Sequence, residues 1–557
     1  QNYNIEYVFQ GIGFDGSLAL SQIPRLKPMD DETKNDCYIA LFKECLGFIN
    51  NGTISRCDPV KFDYQCEPPP LRIQTILTKK MAGAELIGIK ARNVVMGNRE
   101  VEGLHFVDKE IHRNTVSDDA EVLFYIYCCS HNVVATFKDV TGAYLLVSDD
   151  SSRYVYPLSG MTGLEPKEVL RKLGMIYGEK RANAAWHDRL QDEFRQEGFR
   201  SVDITEPNLL QREPKDKDND RVLVMTYVDN IGIASNLGDK SEVLKKAVSN
   251  LAERLPLTEE PDSEWNGCQL RWQHGVLSKS VCAYIERLCE HYKDLYRFGK
   301  SRIQLPISPR LEKDFENADD EFTKMNYREL MGQLNWPIVK GFPILKFWHQ
   351  SLCRFITKAR NSHVKGAFQL LNWMFMHRDM SWTIRGADVK DTKITIYCDS
   401  SNCDEKNTGH TSTCAMIFVD QSLVYMYCKK KEKIQPESMM NEVRAIYEAW
   451  RRSVRIKRML INMGFHVRKA IVVISDNDSG LAALTKPYIT DKAKYLPPKN
   501  LRLRQLYILN ELLFGGISSE NNYSDVGTKS EHVVERFERL ATEIMEARVN
   551  LEPEEWW

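Results

Sequence analysis

The 557-residue sequence contains no run of the roughly 18 consecutive apolar residues that a membrane-spanning helix needs. Its first residues, QNYNIEYVFQGIGFDGS, lack the basic and then apolar segments of a secretory signal peptide. We therefore predict an intracellular protein, in a cytoplasmic particle or in the nucleus, that neither enters a membrane nor is secreted. Because the chain begins with Gln1 rather than Met, we expect it to be a piece of a longer one.

The sequence also lacks an excess of charge of either sign, since 76 Lys and Arg residues stand against 77 Asp and Glu residues. This balance argues against a protein that holds nucleic acid through overall positive charge, and it leaves a local basic surface open. The 14 cysteines form no CxxC pair, and the adjacent Cys128 and Cys129 cannot alone complete a tetrahedral zinc site. We interpret the cysteines as reduced, buried thiols.

No repeat with a period of roughly 20 to 50 residues is present, which excludes solenoids and propellers. One short motif near the start, formed by Gly11, Gly13 and Gly16, has the GxGxxG spacing of a dinucleotide site. Pro24 and Pro28 would stop the long helix that such a site needs after its glycines. We therefore interpret the motif as a flexible loop.

The chain length and the positions of charged and turn-forming segments predict several domains. At roughly 150 residues per domain, the chain has room for three or four. The acidic residues 311–322 and the polar segment 385–393 interrupt helical periodicity, so we place boundaries there. The predicted division is an upstream linker (1–36), a first block (37–250), a second block (251–385) and a last block (390–548).

In the last block, strand and helix patterns alternate. We predict strands over 393–399, 413–420 and 423–431, a helix over 437–465, a strand over 469–476, a helix over 501–516 and a final helix after residue 525. Acidic residues at the ends of these elements are Asp399, Glu442, Asp476 and Asp525. Taken singly, each Asp is an ordinary strand-end or turn residue. Together and in this order, the four acids favour a site for two Mg²⁺ ions, roughly 3.5–4 Å apart, that assist phosphodiester hydrolysis.

YCDSS, the helix of Glu442, ISDNDSGLAAL, LRLRQ and YSDVGTKS resemble the ribonuclease H domain of copia-type (Pseudoviridae) long-terminal-repeat retrotransposons. The resemblance implies that the four acids bind Mg²⁺, with Mn²⁺ as the alternative, and that the site cleaves an RNA–DNA hybrid. The chain departs from the family in having no histidine between His466 and His532, whereas many such enzymes keep one near the active site. This departure bears on turnover more than on metal binding.

The predicted long helix of the last block also carries basic residues. Arg451, Arg452 and Arg455 follow Glu442 along it. Their side chains could follow the phosphate backbone of the hybrid, and a solvated charged face is the alternative interpretation.

The first block contains RVLVMTYVDNIGIAS (221–235), two apolar runs around Asp229 that predict a β-hairpin with a carboxylate at its tip. Residues 131–146 predict another strand, from which Asp139 could meet Asp229 across a sheet. Two carboxylates on separate strands, with cations nearby, are what in-line nucleotidyl transfer requires. The sequence thus predicts a second acidic site.

Between these strands, residues 172–199 are predicted to be helical. Lys172, Lys180 and Arg181 in this segment offer contacts to phosphate groups. The first block therefore contains basic side chains of the kind that this chemistry needs near the acidic pair.

This block resembles the reverse transcriptase of copia-type elements, and the two resemblances together cover about 37–545. FKDVTGAYLL is similar to the strand of the first catalytic Asp, and TYVDN is similar to the YVDD hairpin. The resemblance implies that Asp139 and Asp229 bind the polymerase Mg²⁺ ions. GIKARNVVMGN is similar to the fingers segment whose cations, here Lys90 and Arg92, reach the incoming dNTP. Tyr144 falls where the family screens the sugar 2′ position.

The implied fold class is α/β (α+β): reverse-transcriptase fingers and palm, a helical thumb and connection region, then the ribonuclease H domain. Two departures from the family bear on activity. Its YGLKQ pattern is here YGEKR (177–181), and the second Asp of its YVDD hairpin is here Asn230. An amide offers a metal one oxygen without negative charge, so we expect weaker cation binding and weaker transition-state stabilisation.

The sequence therefore predicts an RNA-directed DNA polymerase with ribonuclease H activity, from an element that integrates DNA. Its partners would be an RNA template, a DNA primer, dNTPs and the RNA–DNA hybrid, within a homo-oligomer or a larger ribonucleoprotein particle. The alternative is a co-opted relic that binds RNA or serves as a scaffold without polymerising. Asn230 and the near-neutral charge favour the alternative, and the complete set of nuclease acids opposes it.

Overall fold

A computed structural model describes residues 4–9, 12–15, 31–56, 69–82, 85–102, 106–108, 111, 113–158, 161–162, 168–214, 219–299, 326–401, 411–431, 438–489, 494, 496–528 and 534–557. The predicted acidic boundary, Gly11, Gly16 and His532 lie outside these residues. Within the predicted linker, residues 4–9 and 12–15 form a pair of antiparallel strands. Every helix in the described part is too short or too polar to cross a membrane.

The first block is built around a six-stranded sheet. Its helices are α1 (Asp31–Asn50), α2 (Asp118–Ser130), α3 (Ala182–Gln196) and α4 (Glu242–Arg254). Two strands, β1 (Asn4–Phe9) and β2 (Ile12–Asp15), lie in the predicted linker. The first block contains β3 (Ile54–Arg56), β4 (Ile73–Ala82), β5 (Glu85–Val95), β6 (Thr136–Val140), β7 (Ser148–Val155), β8 (Met161–Thr162), β9 (Leu170–Gly174), β10 (Arg200–Asp203), β11 (Glu206–Arg212), β12 (Val222–Tyr227) and β13 (Asn230–Ser235). One further strand, β14 (Leu257–Glu260), follows the predicted end of the block and joins its large sheet. The large sheet, which we call the palm sheet, is antiparallel in the order β10-β11-β12-β13-β6-β14.

The centre of the palm sheet is buried on both faces. Successive residues of β12 alternate between the two sides, as the period of two in a strand requires. Val222 and Val224 pack with Trp186 of α3, and Leu223 and Met225 join the core that contains α2. Burial on both faces explains why β12 is continuously apolar. Polar functional side chains can therefore lie only at the ends of these strands.

In its described residues, the second block combines a small sheet with four helices. Its strands are β15 (Glu264–Trp265), β16 (Cys268–Gln273), β17 (Val276–Ser280) and β18 (Trp382–Arg385), and its helices are α5 (Cys282–His291), α6 (Tyr327–Lys340), α7 (Lys346–Cys353) and α8 (Asn361–Met376). The strands form one antiparallel sheet in chain order. The last strand of this block therefore returns to its first strands before the chain enters the last block.

The last block is a six-stranded mixed sheet with helices. Its strands are β19 (Ile394–Ser400), β20 (Thr411–Val419), β21 (Ser422–Lys431), β22 (Ile471–Ser475), β23 (Leu512–Gly516) and β24 (Glu555–Trp556), and its helices are α9 (Ser438–Asn462), α10 (Asp478–Thr485), α11 (Pro498–Ile508) and α12 (Val534–Met545). The strand order is β21-β20-β19-β22-β23-β24, with β19, β22 and β23 mutually parallel. The predicted mixed α/β class is confirmed.

Two predicted helices are wrong in part. The helix predicted over 501–516 ends at Ile508, because Asn510 turns the chain with a φ of +52° and LLFGG then pairs with β22. The helix predicted over 172–199 begins only at Ala182, after strand β9. In both segments the apolar run is too short for its periodicity to distinguish a helix from a strand. Pairing with a neighbouring strand determines the conformation.

A single buried apolar cluster joins the three blocks. It includes Phe124 of α2, Trp373 of α8 and Phe418 of β20. The ring of Trp373 lies 5.9 Å from that of Phe537 in α12, and Trp373 Nε1 donates to Glu538 Oε1 at 2.7 Å. The last block is therefore packed against the second block rather than tethered to it.

Candidate active sites

The tip of the β12–β13 hairpin is held by contacts from two sides. Val228 has a φ of +59°, a conformation that costs a non-glycine residue roughly 1–3 kcal/mol and persists only where surrounding contacts impose it. Trp186 Nε1 donates to the Val228 carbonyl at 2.7 Å, and Val140 N donates to the Asp229 carbonyl at 2.9 Å. These bonds tie the hairpin tip to α3 and to the end of β6.

Asp139 and Asp229 are close enough for their charges to interact. Burial, together with the negative charges of Asp229 and Glu260, raises the pKa of Asp139 to about 6. Burial also raises the pKa of Asp229. Partly buried carboxylates that repel each other are frequent where a cation binds. The structure thus brings the two predicted palm acids together and adds Glu260, which belongs to no motif in the sequence.

The two basic side chains that are predicted to contact the triphosphate lie beside these acids. Lys90 and Arg92 are exposed on β5, and the positive charges of both lower the pKa of Asp139 and of Asp229. The Arg92 guanidinium lies 6.0 Å from the centroid of the Tyr177 ring. Positive charge over an acidic pair suits a ligand that brings its own phosphate charge.

Tyr144 lies at the same site, on the 3₁₀ turn Ala143–Leu146. Its ring centroid is 5.2 Å from that of Tyr177, and the ring planes meet at 61°. Burial raises the pKa of Tyr144, and the charge of Asp229 raises it further. The structure therefore places Tyr144 near the hairpin acid and shows that Tyr177, predicted only as part of a motif, supports it.

The Tyr177-Gly178 pair fixes the β4–β5 ribbon against the palm. Val95 N donates to the Tyr177 carbonyl at 2.7 Å. Gly178 has a φ of +88°, and a Cβ there would lie 2.3 Å from the Val95 carbonyl oxygen. Only glycine permits this approach, which positions the basic strand β5 over the acids.

The basic residues predicted as phosphate contacts in the YGEKR region have partners within the chain. Lys172 is fully buried in an ion pair with Asp149, and Arg181 lies 3.9 Å from the same carboxylate. The Lys180 ammonium lies 4.1 Å from the ring centroid of Phe106. These side chains hold the segment together, so we no longer expect Lys172 to reach nucleic acid.

Asn230 contacts a neighbouring turn. Its Nδ2 donates to Asn266 Oδ1 at 3.3 Å, and Asn266 adopts a left-handed φ of +48° between β15 and β16. Asn230 also pairs with Asp139 in the register of β13 and β6. The departure from the family motif therefore lies beside Asp139, in the candidate acidic site.

The second acidic site lies in the last block. Asp399 belongs to β19, Asp476 follows β22, and Asp525 lies on the 3₁₀ turn Tyr523–Gly527. Because β19 and β22 are parallel neighbours, their carboxyl ends meet at one edge of the sheet. One oxygen from each of the three carboxylates lies within 4.8 Å of the others. The structure thus brings together three of the four predicted nuclease acids.

Glu442 completes this group from the first turns of α9. Its Oε1 accepts a hydrogen bond from Ser400 N at 3.0 Å, and its Oε2 is buried without a hydrogen-bond partner in the described part of the chain. Burial raises the pKa of Glu442 well above its usual range, and the charge of Asp399 raises it further. A buried carboxylate oxygen with no donor costs free energy that a bound cation would recover.

The donor set fits a hard divalent cation. The four acids offer only oxygen ligands, which suit Mg²⁺ and Mn²⁺ better than zinc or copper. Three further side chains hold the acids: Thr528, from the YSDVGTKS segment, donates to Asp399, Ser519 donates to Asp476 and Arg536 donates to Asp525. These hydrogen bonds form only in the folded chain, because each side chain is distant in sequence from the acid that it holds.

The three predicted backbone-binding arginines divide into two kinds. Arg451 is exposed, with its guanidinium 3.9 Å from Glu448. Arg452 and Arg455 instead bind the buried Asp119 of α2 at 2.7 and 2.9 Å. The structure therefore gives these two arginines a different partner from the predicted one, because they clamp α9 to the palm.

Residues 65–300 match the family model described as Reverse transcriptase (RNA-dependent DNA polymerase). The resemblance to copia-type reverse transcriptases is confirmed. The chain is also 23% identical over 267 residues, or 47% of this chain and 83% of the relative, to the putative transposon Ty5-1 protein of Saccharomyces cerevisiae.

Solved structures give more distant similarities. The foamy viral protease-reverse transcriptase in complex with double-stranded DNA has 9% identity and a TM-score of 0.43, with 89% of this chain and 71% of that chain covered. The same kind of protein in complex with an RNA/DNA hybrid has 10% identity and a TM-score of 0.39, with 90% and 62% covered. The N-terminal RNase H domain of rv2228c from Mycobacterium tuberculosis, a maltose-binding protein fusion, has 12% identity and a TM-score of 0.19, with 27% and 96% covered.

Proposed function

We propose that this chain is an RNA-directed DNA polymerase with a ribonuclease H site, in which the nuclease acids are complete and the polymerase acids lack one charge. One observation carries the proposal. A carboxylate pair in the residues that match a reverse transcriptase and a separate four-acid group occur in one continuously packed molecule. Acidic groups at two sites suit the two reactions of such an enzyme, which are both substitutions at phosphorus.

In the polymerase site, each residue has a role that its position supports. Asp139 and Asp229 would hold Mg²⁺ or Mn²⁺, which supplies activation of the attacking hydroxyl and stabilisation of the charge on the phosphate. Lys90 and Arg92 would bind the triphosphate of the dNTP and orient it toward the acids. Tyr144, supported by Tyr177, would pack against the sugar and exclude a 2′-hydroxyl.

In the nuclease site, the four acids Asp399, Glu442, Asp476 and Asp525 would hold two divalent cations at the sheet edge. Ser400 N donates to one Glu442 oxygen, and the other oxygen, which has no hydrogen bond in the described part of the chain, would bind a cation. The substrate would be the RNA strand of an RNA–DNA hybrid. Among the predicted arginines, Arg451 is the one we retain as a contact to the hybrid backbone, because its side chain is 63% exposed.

The alternative function is a co-opted relic that binds nucleic acid without polymerising. The contact from Asn230 to Asn266 favours it, because the amide is fixed in place by a hydrogen bond that a second metal-binding Asp could not donate. The intact nuclease acids oppose it. A single preparation assayed for both reactions distinguishes the two functions.

The test uses the full chain with a DNA primer on an RNA template, dNTPs, and a labelled RNA–DNA hybrid in a parallel reaction. We expect primer extension that Asp229→Asn abolishes while hybrid cleavage continues, and hybrid cleavage that Asp476→Asn abolishes while extension continues. Each variant is the control for the other, because each keeps the fold and one active site. Extension that survives Asp229→Asn, or cleavage that survives Asp476→Asn, would disprove the corresponding assignment.

A further inference from the structure

Arg536 of helix α12 reaches into the nuclease site. Its Nη2 donates to Asp525 Oδ2 at 2.5 Å and also to the Ser519 carbonyl, while its Nε donates to the Glu520 carbonyl at 3.1 Å. The Asp525 side chain is completely buried, and that of Arg536 is 23% exposed. One guanidinium thus fixes an acid of the site and the turn beside it.

The same turn connects Arg536 to a second acid. Ser519 Oγ donates to Asp476 Oδ2 at 2.6 Å, and Ser519 carries the carbonyl that Arg536 binds. The contacts therefore run from Arg536 directly to Asp525 and through Ser519 to Asp476. Two of the three carboxylates that meet within 4.8 Å are therefore connected to this one side chain.

Electrostatics explains why such a residue is needed. Carboxylates gathered at one sheet edge repel each other until a cation enters, and an arginine remains charged at every working pH. A carboxylate has two oxygens, so one can accept from arginine while the other binds a metal. Partners that orient metal-binding side chains in this way typically contribute about 10–100-fold to metal affinity.

We propose that Arg536 is a positioning residue of the nuclease site, which sets the orientation of Asp525 directly and of Asp476 through Ser519 so that divalent cations bind. This inference rests on the proposed nuclease function. It assigns Arg536 no contact with the hybrid. The competing role is simple replacement of a cation, in which the guanidinium would occupy the place of a metal and weaken metal binding.

The two roles predict opposite changes in metal affinity. If Arg536 positions the acids, Arg536→Gln should weaken Mn²⁺ binding by about 10-fold or more. It should raise the Mg²⁺ concentration needed for half-maximal hybrid cleavage by a similar factor. The cleavage rate at saturating Mg²⁺ should fall by a smaller factor. If the guanidinium only replaces a cation, the same variant should bind Mn²⁺ more tightly.

Arg539 supplies a matched control on the same helix. Its Nη2 donates to the Glu520 carbonyl at 2.9 Å, so it holds the same turn, and no bond joins it to an acid of the site in the described part of the chain. Arg539→Gln should leave Mn²⁺ affinity unchanged. Arg536→Lys keeps the charge and one donor, and should recover part of the affinity that Arg536→Gln loses.

Mn²⁺ binding is measured by electron paramagnetic resonance in the full chain carrying Asp229→Asn, so that the palm acids contribute little. Weaker binding in Arg536→Gln alone supports the proposal. Equal or tighter binding in Arg536→Gln, or an equal loss in Arg539→Gln, overturns it. If Asp476→Asn does not reduce Mn²⁺ binding in this background, the nuclease assignment itself fails, and the role of Arg536 fails with it.

Discussion

Asn230 lies directly opposite Asp139 across the antiparallel pair β13–β6, so that the two side chains project from the same face of the palm sheet. Its amide nitrogen is directed to Asn266 Oδ1 at 3.3 Å. Directly opposed residues have their Cβ atoms about 4.5–5.5 Å apart, near enough for a charge at position 230 to act on the acids. The identity of residue 230 should therefore control the polymerase site.

Asn230→Asp should increase primer extension. The new carboxylate would add a third negative charge beside Asp139 and Asp229 and so strengthen cation binding. If it stabilises the transition state by about 1.4–4 kcal/mol, extension rises roughly 10- to 10³-fold. The measurement is single-nucleotide extension of a primer on an RNA template at fixed Mg²⁺.

The control for this gain is Gln269→Glu, which adds the same charge at an exposed position of β16. It should leave extension unchanged. Equal rates in Asn230→Asp and in the unmodified chain would show that position 230 has no part in catalysis. If neither protein extends a primer although both bind the hybrid, the scaffold function is favoured.

Tyr144 should control the choice of sugar. Tyr144→Ala removes the ring that packs edge-on against Tyr177 and opens space beside the acids, so ribonucleotides should be incorporated more readily. Tyr144→Phe keeps the ring and is the control. The measured quantity is the ratio of dNTP to rNTP incorporation. An unchanged ratio in Tyr144→Ala would reduce Tyr144 to a packing role.

Asp476→Asn should abolish hybrid cleavage in Mg²⁺. Removing one charge that holds the cations should cost several kcal/mol of transition-state stabilisation, or about 10³-fold and more in rate. Asp478→Asn changes an exposed carboxylate two residues later and should cleave normally. The rates come from a labelled RNA strand in a hybrid. A loss below about tenfold in Asp476→Asn would indicate a structural role.

Local sequence pattern predicted much of the fold and most of the acids. The hairpin around Asp229 and the strand that ends near Asp399 have strong signals, because β-branched and apolar residues alternate with turn formers there. The motif order then placed Glu442 near Asp399, as the structure has it. These predictions succeeded because each depends on one element and its end.

What the sequence did not predict depends on contacts between distant segments. The sequence pattern predicts the end of a helix where strand β23 lies, because the parallel pairing of its five residues with β22 leaves no local signal. Arg452 and Arg455 were predicted to face nucleic acid, and a buried carboxylate more than 300 positions earlier determines their contacts. Arg536 carried no signal for the same reason.

The raised pKa of Asp139 predicts a pH-dependent stability. The pKa rises from 3.8 to about 6 in the folded chain, so folding binds a proton more strongly and stability is lost as pH rises through that interval. Asp139→Asn, which is always neutral, should therefore raise the melting temperature at pH 7.5 without divalent cations by about 1–2 °C. The gain should shrink at pH 5.

Mg²⁺ should reverse this difference, because the ion stabilises the ionised Asp139 of the unmodified chain and has less to bind in the variant. Asp239→Asn, at an exposed position, is the control and should have no effect in either condition. Differential scanning fluorimetry at both pH values measures all three proteins. If Asp139→Asn melts at a lower temperature than the unmodified chain without Mg²⁺, burial is not the cause of the raised pKa of Asp139.

The junction between the palm and the last block should depend on Asp119. Its carboxylate is completely buried and binds Arg452 and Arg455 at 2.7 and 2.9 Å. Removing one side of a buried ion pair leaves the other charge poorly compensated. Because Arg455 keeps its ion pair with Glu206 at 2.6 Å and both arginines retain some access to water, Asp119→Asn should destabilise the chain by about 2–4 kcal/mol. Asp192→Asn breaks the exposed pair with Arg195 and should cost under about 1 kcal/mol.

Urea unfolding of the two variants measures this difference, and amide hydrogen exchange locates it. Because the ion pairs join α2 to α9, Asp119→Asn should increase exchange in both helices, whereas an effect inside the palm alone would appear only in α2. Hybrid cleavage per folded molecule should change little, since within the described residues Asp119 bonds to Ser117, Arg452 and Arg455 and to none of the nuclease acids. Equal unfolding of Asp119→Asn and Asp192→Asn would show that the clamp contributes nothing to the docking of the two blocks.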